Sequence, residues 1–302
     1  MRELTSDVII VGGGPAGLSC ALILGRSARK VLLFDSGQQR NRRSLAMNGF
    51  ISRDGEDPAV FLSIARKELS KYDVTIIRRK VVTARKLGSI FSVTTADGEE
   101  YFAKKLLLAT GLRDKLPPLK NFMQFYGKSA FHCPYCDAWE FRDLPWVVYA
   151  AGRGGAVEVP LRLRTWTNDI TVVGPGVRKL LKNDIAILRR NGIKIKTENA
   201  VALKGKDGKL ETVILDDGSP VPARALFFSI GQEQQCDLAF MLNCECNAKG
   251  LITTNRLQQT NVPGLYVAGD TAWDMQLVII AAAEGAKAGV AINSELNSLS
   301  RK

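Results

Sequence analysis

Apolar residues recur in short unbroken runs along the chain, most of them closed by glycine or an acid. Residues 7–11 (DVIIV) read as a strand buried on both faces, as in a parallel sheet. Residues 12–17 follow as a glycine turn, residues 15–26 carry apolar positions at helical spacing, and residues 30–34 (KVLLF) form a second strand ending at Asp35. This strand–turn–helix–strand run has the size of a βαβ unit, about 30 residues. The theme returns. Residues 93–95 and 100–103 flank ADGE as a hairpin. Residues 105–109 form a strand ending at Thr110-Gly111. Residues 146–151 precede a glycine-rich turn at 152–155 and a helix, and residues 169–173 are the next strand. Strands at 226–230 and 265–268 end at Gly231 and at Gly269-Asp270, and an alanine-rich helix over 276–294 closes the pattern.

Two βαβ starts, near residues 7 and 146, predict an α/β fold with two dinucleotide-binding, Rossmann-like domains. Pro117, Pro118 and Pro145 mark plausible breaks. The expected organisation is a first domain over 1–115, a central domain over 116–247, and a return to the first domain over 248–302.

Composition agrees with this and narrows the function. The chain has 302 residues, 46% hydrophobic and 24% charged, which excludes long disorder and exceeds what one core usually holds. No run of eighteen apolar residues exists, so no membrane span is expected. The N-terminal run lacks the layout of a secretory signal, so the expectation is a soluble, cytoplasmic protein. The net charge of +12 points to an acidic protein partner. The basic residues are scattered, with modest clusters at 40–43 and 78–80, and match no nucleic-acid motif, so no nucleic acid is expected. A single histidine, His132, excludes a multi-histidine metal site.

Gly12, Gly14 and Gly17 match G-x-G-x-x-G. The first makes the tight turn, the second lets backbone approach a pyrophosphate, and the third allows helix and strand to pack closely. Asp35, at the end of the second strand, is placed to meet ribose hydroxyls. The sequence GGGPAG resembles FAD-binding flavoproteins more than NAD dehydrogenases. Thr110-Gly111, in ATG, and Gly269-Asp270, in LYVAGD, resemble two further flavoprotein elements. In that resemblance the aspartate binds the flavin's ribityl chain; a strand-end aspartate is also a common helix cap.

Cys133-Pro134-Tyr135-Cys136 is a C-x-x-C pair. Zinc would need two more ligands, and Cys244 and Cys246 are oddly spaced for that, so no metal is expected. A redox disulfide fits better: two thiols at this spacing close a small ring and exchange through a mixed disulfide. Asp137 follows at once and can deliver or remove a cysteine proton, or be a solvated helix-start acid. His132 could lower a thiol pKa or be structural. Cys20, Cys236, Cys244 and Cys246 read as inert, with Cys20 facing the core.

GGGPAG, ATG, CPYCD and LYVAGD, in this order, resemble thioredoxin reductase of the low-molecular-weight type over nearly the whole chain. The resemblance implies an FAD domain split by a smaller pyridine-nucleotide domain, a homodimer, and thioredoxin or a similar disulfide as substrate. It implies that Cys136 faces the flavin, Cys133 attacks the substrate disulfide, and Asp137 is the acid. It assigns FAD contacts to Gln276 and Leu277 and to a segment holding Arg42 and Asn48. Pro15, Ala16, Ser36 and Gly37 complete the expected cofactor-binding set.

The second dinucleotide motif departs from that family. Aligned on Ala156, the first two glycine positions hold Ala151 and Arg153, and a side chain at the second blocks backbone approach to a pyrophosphate. A shift by one restores Gly152 and Gly154 but leaves Val157 at the packing position. The strand at 169–173 is followed by GPGVRK, with no H-R-R stretch for a 2′-phosphate and no acid for a ribose; Arg178 and Lys179 are the remaining candidates. The expectation is a central domain that keeps its fold and not NADPH, with reduction by an acidic carrier such as ferredoxin. The alternative is a dithiol oxidase that passes electrons from a small dithiol through FAD to oxygen. In such oxidases a histidine typically follows the second cysteine; here that position is Asp137, which favours a reductase.

Overall fold

The computed structural model describes residues 5–272 and 275–299. The architecture is mixed α/β with two Rossmann-like domains. The chain forms two compact units. The first comprises Met1–Arg42, Phe50–Arg113 and Glu233–Lys302, the second Arg43–Gly49 and Asp114–Gln232.

The first unit is built on a seven-stranded sheet. Its order is Val74–Ile77, Val31–Phe34, Ser6–Val11, Glu100–Leu108, Ile90–Thr95 and Val81–Leu87, with Leu265–Val267 also paired to Glu100–Leu108. The strands Ser6–Val11 and Val31–Phe34 run parallel in the register Val8↔Val31 to Val11↔Phe34. Helix Pro15–Arg26 packs against helix Val278–Leu299, with Cys20, Leu24, Ala288 and Ile292 fully buried. Each fully buried Leu or Ile contributes about 2 kcal/mol. A Cβ at Gly285 would lie 2.0 Å from the Ala16 carbonyl oxygen, so the helices approach at the distance only glycine allows. Burial also pushes the Cys20 thiol pKa up, in keeping with an inert core cysteine.

Two features differ from the sequence reading. Residues 100–108 are one strand, not a hairpin arm followed by a separate strand. Its first half pairs antiparallel with Phe91–Thr94, and Leu106–Leu108 pair parallel with Leu265–Val267. Local pattern showed both partnerships but not that one strand serves both. Residues 233–247 lie in the first unit, where Leu238, Ala239, Leu242 and Cys244 join the core behind the sheet.

The second unit holds a five-stranded parallel sheet in the order Lys194–Ile195, Ile170–Val173, Trp146–Ala150, Ala225–Ser229, Ala130–Phe131. Helix Arg153–Leu163 packs on it through Ala156 and Leu163, beside Trp146, Ile170 and Phe227. A three-stranded antiparallel meander, Ala200–Lys206, Lys209–Leu215 and Pro220–Pro222, completes the unit. Its turns carry Asp207-Gly208 and Asp217-Gly218, hairpin dipeptides whose glycines stand at φ 81° and 84°. Among the described residues no helix is long and apolar enough to cross a membrane.

Candidate active site

In the first unit the turn after Ser6–Val11 forms a cradle. Gly12 has φ 121°, and a Cβ there would lie 2.0 Å from the Ala109 carbonyl oxygen. A Cβ at Gly17 would lie 1.9 Å from the Gly12 carbonyl oxygen. Both positions demand glycine. Gly14 differs: it caps helix Pro15–Arg26 and faces open space. With Pro15 at the first helical position, the helix N-terminus presents unpaired N–H groups and the positive dipole end, the chemistry that holds a pyrophosphate.

Asp35 stands beside this turn, its side chain 2% exposed. Oδ1 accepts from Gly37 N at 2.8 Å and Gln39 Nε2 at 2.9 Å. Oδ2 accepts from Arg66 Nη2 at 3.0 Å and Arg78 Nη1 at 2.9 Å. The carboxylate predicted to meet ribose is thus already ringed by protein donors. Arg66 Nε, in the same cluster, is buried with no hydrogen-bond partner among the described residues. An open glycine at a helix cap and an orphaned guanidinium donor fit a dinucleotide.

The predicted Thr110-Gly111 and Gly269-Asp270 elements meet at one end of this sheet. Gly111 N donates to Thr271 Oγ1 at 2.6 Å, and Gly269 N donates to the buried Glu284 carboxylate at 2.7 Å. Arg40 is the residue that sequence reasoning missed. Its Nη1 donates to Asp270 Oδ2 at 2.9 Å and to Gln276 Oε1 at 2.7 Å, joining two predicted flavin residues. Its side chain is 12% exposed. Arg42, the predicted member of that run, is exposed and reaches the Gln39 carbonyl. Nothing in the run RNRR distinguishes 40 from 42 without the fold. Leu277 is half-buried, just ahead of the last helix; Ser36 and Gly37 are exposed past Asp35.

In the second unit Cys133 and Cys136 are joined as a disulfide, with Cα atoms 5.4 Å apart. The short helix Pro134–Asp137 carries it, and Asn48 Nδ2 donates to the Cys136 carbonyl at 2.7 Å. Asn48, expected beside flavin, therefore holds the redox loop. Burial, reinforced by the nearby Glu140 charge, raises the Asp137 pKa to about 7. A carboxyl poised there exchanges a proton at neutral pH. Tyr135 and Trp139 are exposed around the disulfide. Tyr135 meets Trp166 edge-on at 5.7 Å, and the Arg142 guanidinium lies 4.1 Å over the Trp139 ring.

The second glycine-rich turn corrects the predicted register. Gly152 caps helix Arg153–Leu163, as Gly14 caps the first helix, so Arg153 occupies the first helical position and not the pyrophosphate-facing one. A Cβ at Gly155 would lie 2.7 Å from Ser229 Oγ, which makes Gly155 the packing glycine. The Arg153 guanidinium turns onto Asp184, with Nε–Oδ2 at 2.6 Å and Nη2–Oδ1 at 2.9 Å. The loop after Ile170–Val173 folds over the turn. Gly176 N donates to the Ala150 carbonyl at 2.8 Å, and a Cβ at Gly176 would lie 2.4 Å from the Gly152 carbonyl oxygen.

Cys244 is buried, with its thiol pKa raised to about 11 by burial, and Cys246 is exposed; neither is disulfide-bonded. Among the described residues no group of three or more His, Cys, Asp or Glu side chains could hold a metal.

Comparison with known proteins agrees with this geometry. The sequence matches the pyridine nucleotide-disulphide oxidoreductase family over residues 6–285. It is 31% identical over 301 residues to a probable thioredoxin reductase of Arthroderma benhamiae, covering 87% of this chain and 73% of that one. It is 30% identical over 305 residues to thioredoxin reductase tcpT of Claviceps purpurea, covering 96% and 94%. The fold is similar to the crystal structure of an oxidoreductase from Agrobacterium tumefaciens, with a TM-score of 0.89 at 30% identity over 97% of this chain and 99% of that one.

Proposed function

Because this chain belongs to the pyridine nucleotide-disulphide oxidoreductase family, as a low-molecular-weight thioredoxin reductase-like flavoenzyme, we propose that it is an FAD-dependent disulfide oxidoreductase that passes an electron pair through Cys133 and Cys136 to a protein disulfide of the thioredoxin type. The observation that carries this reading is the Cys133–Cys136 disulfide beside a carboxyl that titrates near neutrality.

Gly12, Gly14, Pro15, Ala16 and Gly17 would hold the pyrophosphate, with Asp35, Ser36, Gly37 and Arg66 at the adenosine end. Asp270, Gln276 and Leu277, with Arg40, Thr110 and Gly111, would hold the ribityl chain and ring. When bound, FAD supplies the two-electron couple for the disulfide. Cys133 attacks the partner disulfide, Cys136 resolves the mixed disulfide, and Asp137 stores and returns the resolving proton. The exposed Tyr135 and Trp139 offer the partner an aromatic contact surface. The domain assignment follows: the first unit is the flavin domain, the second the redox domain, and the chain acts as a cytoplasmic homodimer.

The electron donor is not NADPH bound in the usual way. The strand Ile170–Val173 is followed by GPGVRK, with no H-R-R stretch for a 2′-phosphate and no acid for a ribose, and the first glycine position of the turn holds Ala150. The net charge of +12 suits an acidic electron carrier of the ferredoxin type. The missing 2′-phosphate stretch also suits the reverse direction, in which electrons from a small dithiol would pass through FAD to oxygen.

Anaerobic flavin absorbance near 450 nm tests both points. The expected result is no bleaching with NADPH and full bleaching with a reduced thioredoxin-like dithiol. Bleaching by micromolar NADPH removes the donor assignment; no response to dithiol removes the proposed function. Rapid turnover of a small dithiol with oxygen, and none with an oxidised thioredoxin, selects the oxidase direction.

A further inference from the structure

The only histidine of the chain stands directly before the redox pair. His132 ends the short strand region Ala130–Phe131 of the second unit, and its Nδ1 lies 3.4 Å from Oδ2 of Asp114. That carboxylate is 3% exposed, and the same oxygen accepts the Tyr126 hydroxyl at 2.8 Å. The imidazole also stacks obliquely near Phe228, with ring centres 6.2 Å apart.

A carboxylate withdrawn from water is stable only beside donors or positive charge. Tyr126 supplies one such donor and the imidazole lies within ion-pair distance as another. The contact to Asp114 places the imidazole proton on Nδ1, so Nε2, on the far edge of the ring, is the basic nitrogen. A buried carboxylate behind an imidazole also stabilises the imidazolium that forms when Nε2 takes a proton. Asp137 follows Cys136 and so lies on the other side of the redox pair in the chain.

We infer that His132 is the proton acceptor for the attacking thiol Cys133, with Asp114 as its positioning residue and Tyr126 holding Asp114. This deepens the proposed function and rests on it. In the reduced pair the Cys133 proton passes to His132 Nε2. The thiolate attacks one sulfur of the substrate disulfide; that S–S bond breaks as the bond to Cys133 forms. The departing substrate thiolate takes the proton back from the imidazolium. The Cys136 thiol then gives its proton to Asp137 and attacks the Cys133 sulfur. The mixed disulfide breaks, and the second substrate thiolate leaves with the proton from Asp137. Two electrons have moved from the enzyme dithiol to the substrate, and the Cys133–Cys136 disulfide is restored.

The test is the pH dependence of Cys133 alkylation by iodoacetamide, followed by mass spectrometry on flavin-loaded Cys136→Ser protein. An isolated thiol titrates near 8.5, so the parent is expected to inflect below that value, and His132→Gln to inflect about one unit higher and react about ten-fold more slowly at pH 7. Asp114→Asn is expected to fall between them, because the imidazole remains and its support is lost. Flavin content reports folding, and His132→Asn replaces the glutamine variant if that variant loses flavin. Coincident profiles for parent and histidine variant overturn the inference, whatever Asp114→Asn does. The assay needs no donor, partner or turnover. A flavin that ignores dithiol while the alkylation profile shifts therefore counts against the proposed function alone.

Discussion

After Val11 and after Ala150 the chain makes the same move: a buried parallel strand, a glycine turn, a helix capped by glycine, and a return strand. The two turns differ in what covers them. In the first unit the return strand ends in Asp35, whose side chain packs against Gly13; Gly14, like Gly152 in the second, faces open space. In the second the return strand ends in Gly174-Pro175-Gly176, and its backbone lies on the carbonyls of Ala150 and Gly152. The cap glycine is kept in both. The cap position is as open in the second turn as in the first; the first glycine position holds Ala150, and Arg153, at the first helical position where the other turn has Pro15, is held by Asp184.

Four substitutions sharpen or break this comparison. Gly12→Val is expected to have the largest effect. A side chain at φ 121°, aimed at a carbonyl 2.0 Å away, combines backbone strain with overpacking. Strain and overpacking together cost about 3 kcal/mol or more, so the purified protein should be colourless and melt well below the parent. Normal flavin content would show that this turn is not the cofactor cradle.

Arg40→Ala comes next. It removes donors from Asp270 and Gln276 inside the first unit. Hydrogen bonds to a charged group contribute about 2 kcal/mol, so FAD affinity of the apoprotein should fall about thirty-fold by flavin fluorescence. An unchanged affinity would place the flavin away from Asp270.

Asp137→Asn tests the second unit through pH. The native pKa of about 7 lies above the ordinary carboxyl value of 3.8. Between those values the folded protein binds the extra proton, so wild-type stability declines as pH rises from 4 to 7. The asparagine variant lacks that decline. Its melting advantage should grow between pH 4.5 and 8, while dithiol exchange slows. A constant difference across that range would contradict a carboxyl pKa raised to about 7.

Arg153→Gly is expected to do least. It releases Asp184 and leaves Gly152 and Gly155 as they are, and the loop after Ile170–Val173 still lacks an H-R-R stretch for a 2′-phosphate, so calorimetry should still detect no NADPH binding. Binding in this variant would make the side chain the barrier and end the comparison as drawn.

Much of this was legible in one dimension. The strands beginning near residues 6, 146 and 265 and the glycine turn ahead of Pro15 rest on contacts within a few residues. The register of the second turn was misread because Ala156 imitates the packing glycine, a role that Gly155 holds through Ser229, seventy-odd positions away. Arg40 and Arg42 are equivalent as letters; only one of them reaches Asp270.

The sequence by itself determined the α/β fold class and the family resemblance carried by GGGPAG, ATG, CPYCD and LYVAGD, because each is a short-range pattern of size, polarity and backbone freedom. Tertiary structure alone decided which side chains share a carboxylate: Arg40 with Asp270 across 230 positions, Arg66 and Arg78 on Asp35, His132 on Asp114. The reason is topological. Parallel strands bring their ends together in an order the chain does not follow, and a buried charge is stabilised by whatever donor that order delivers.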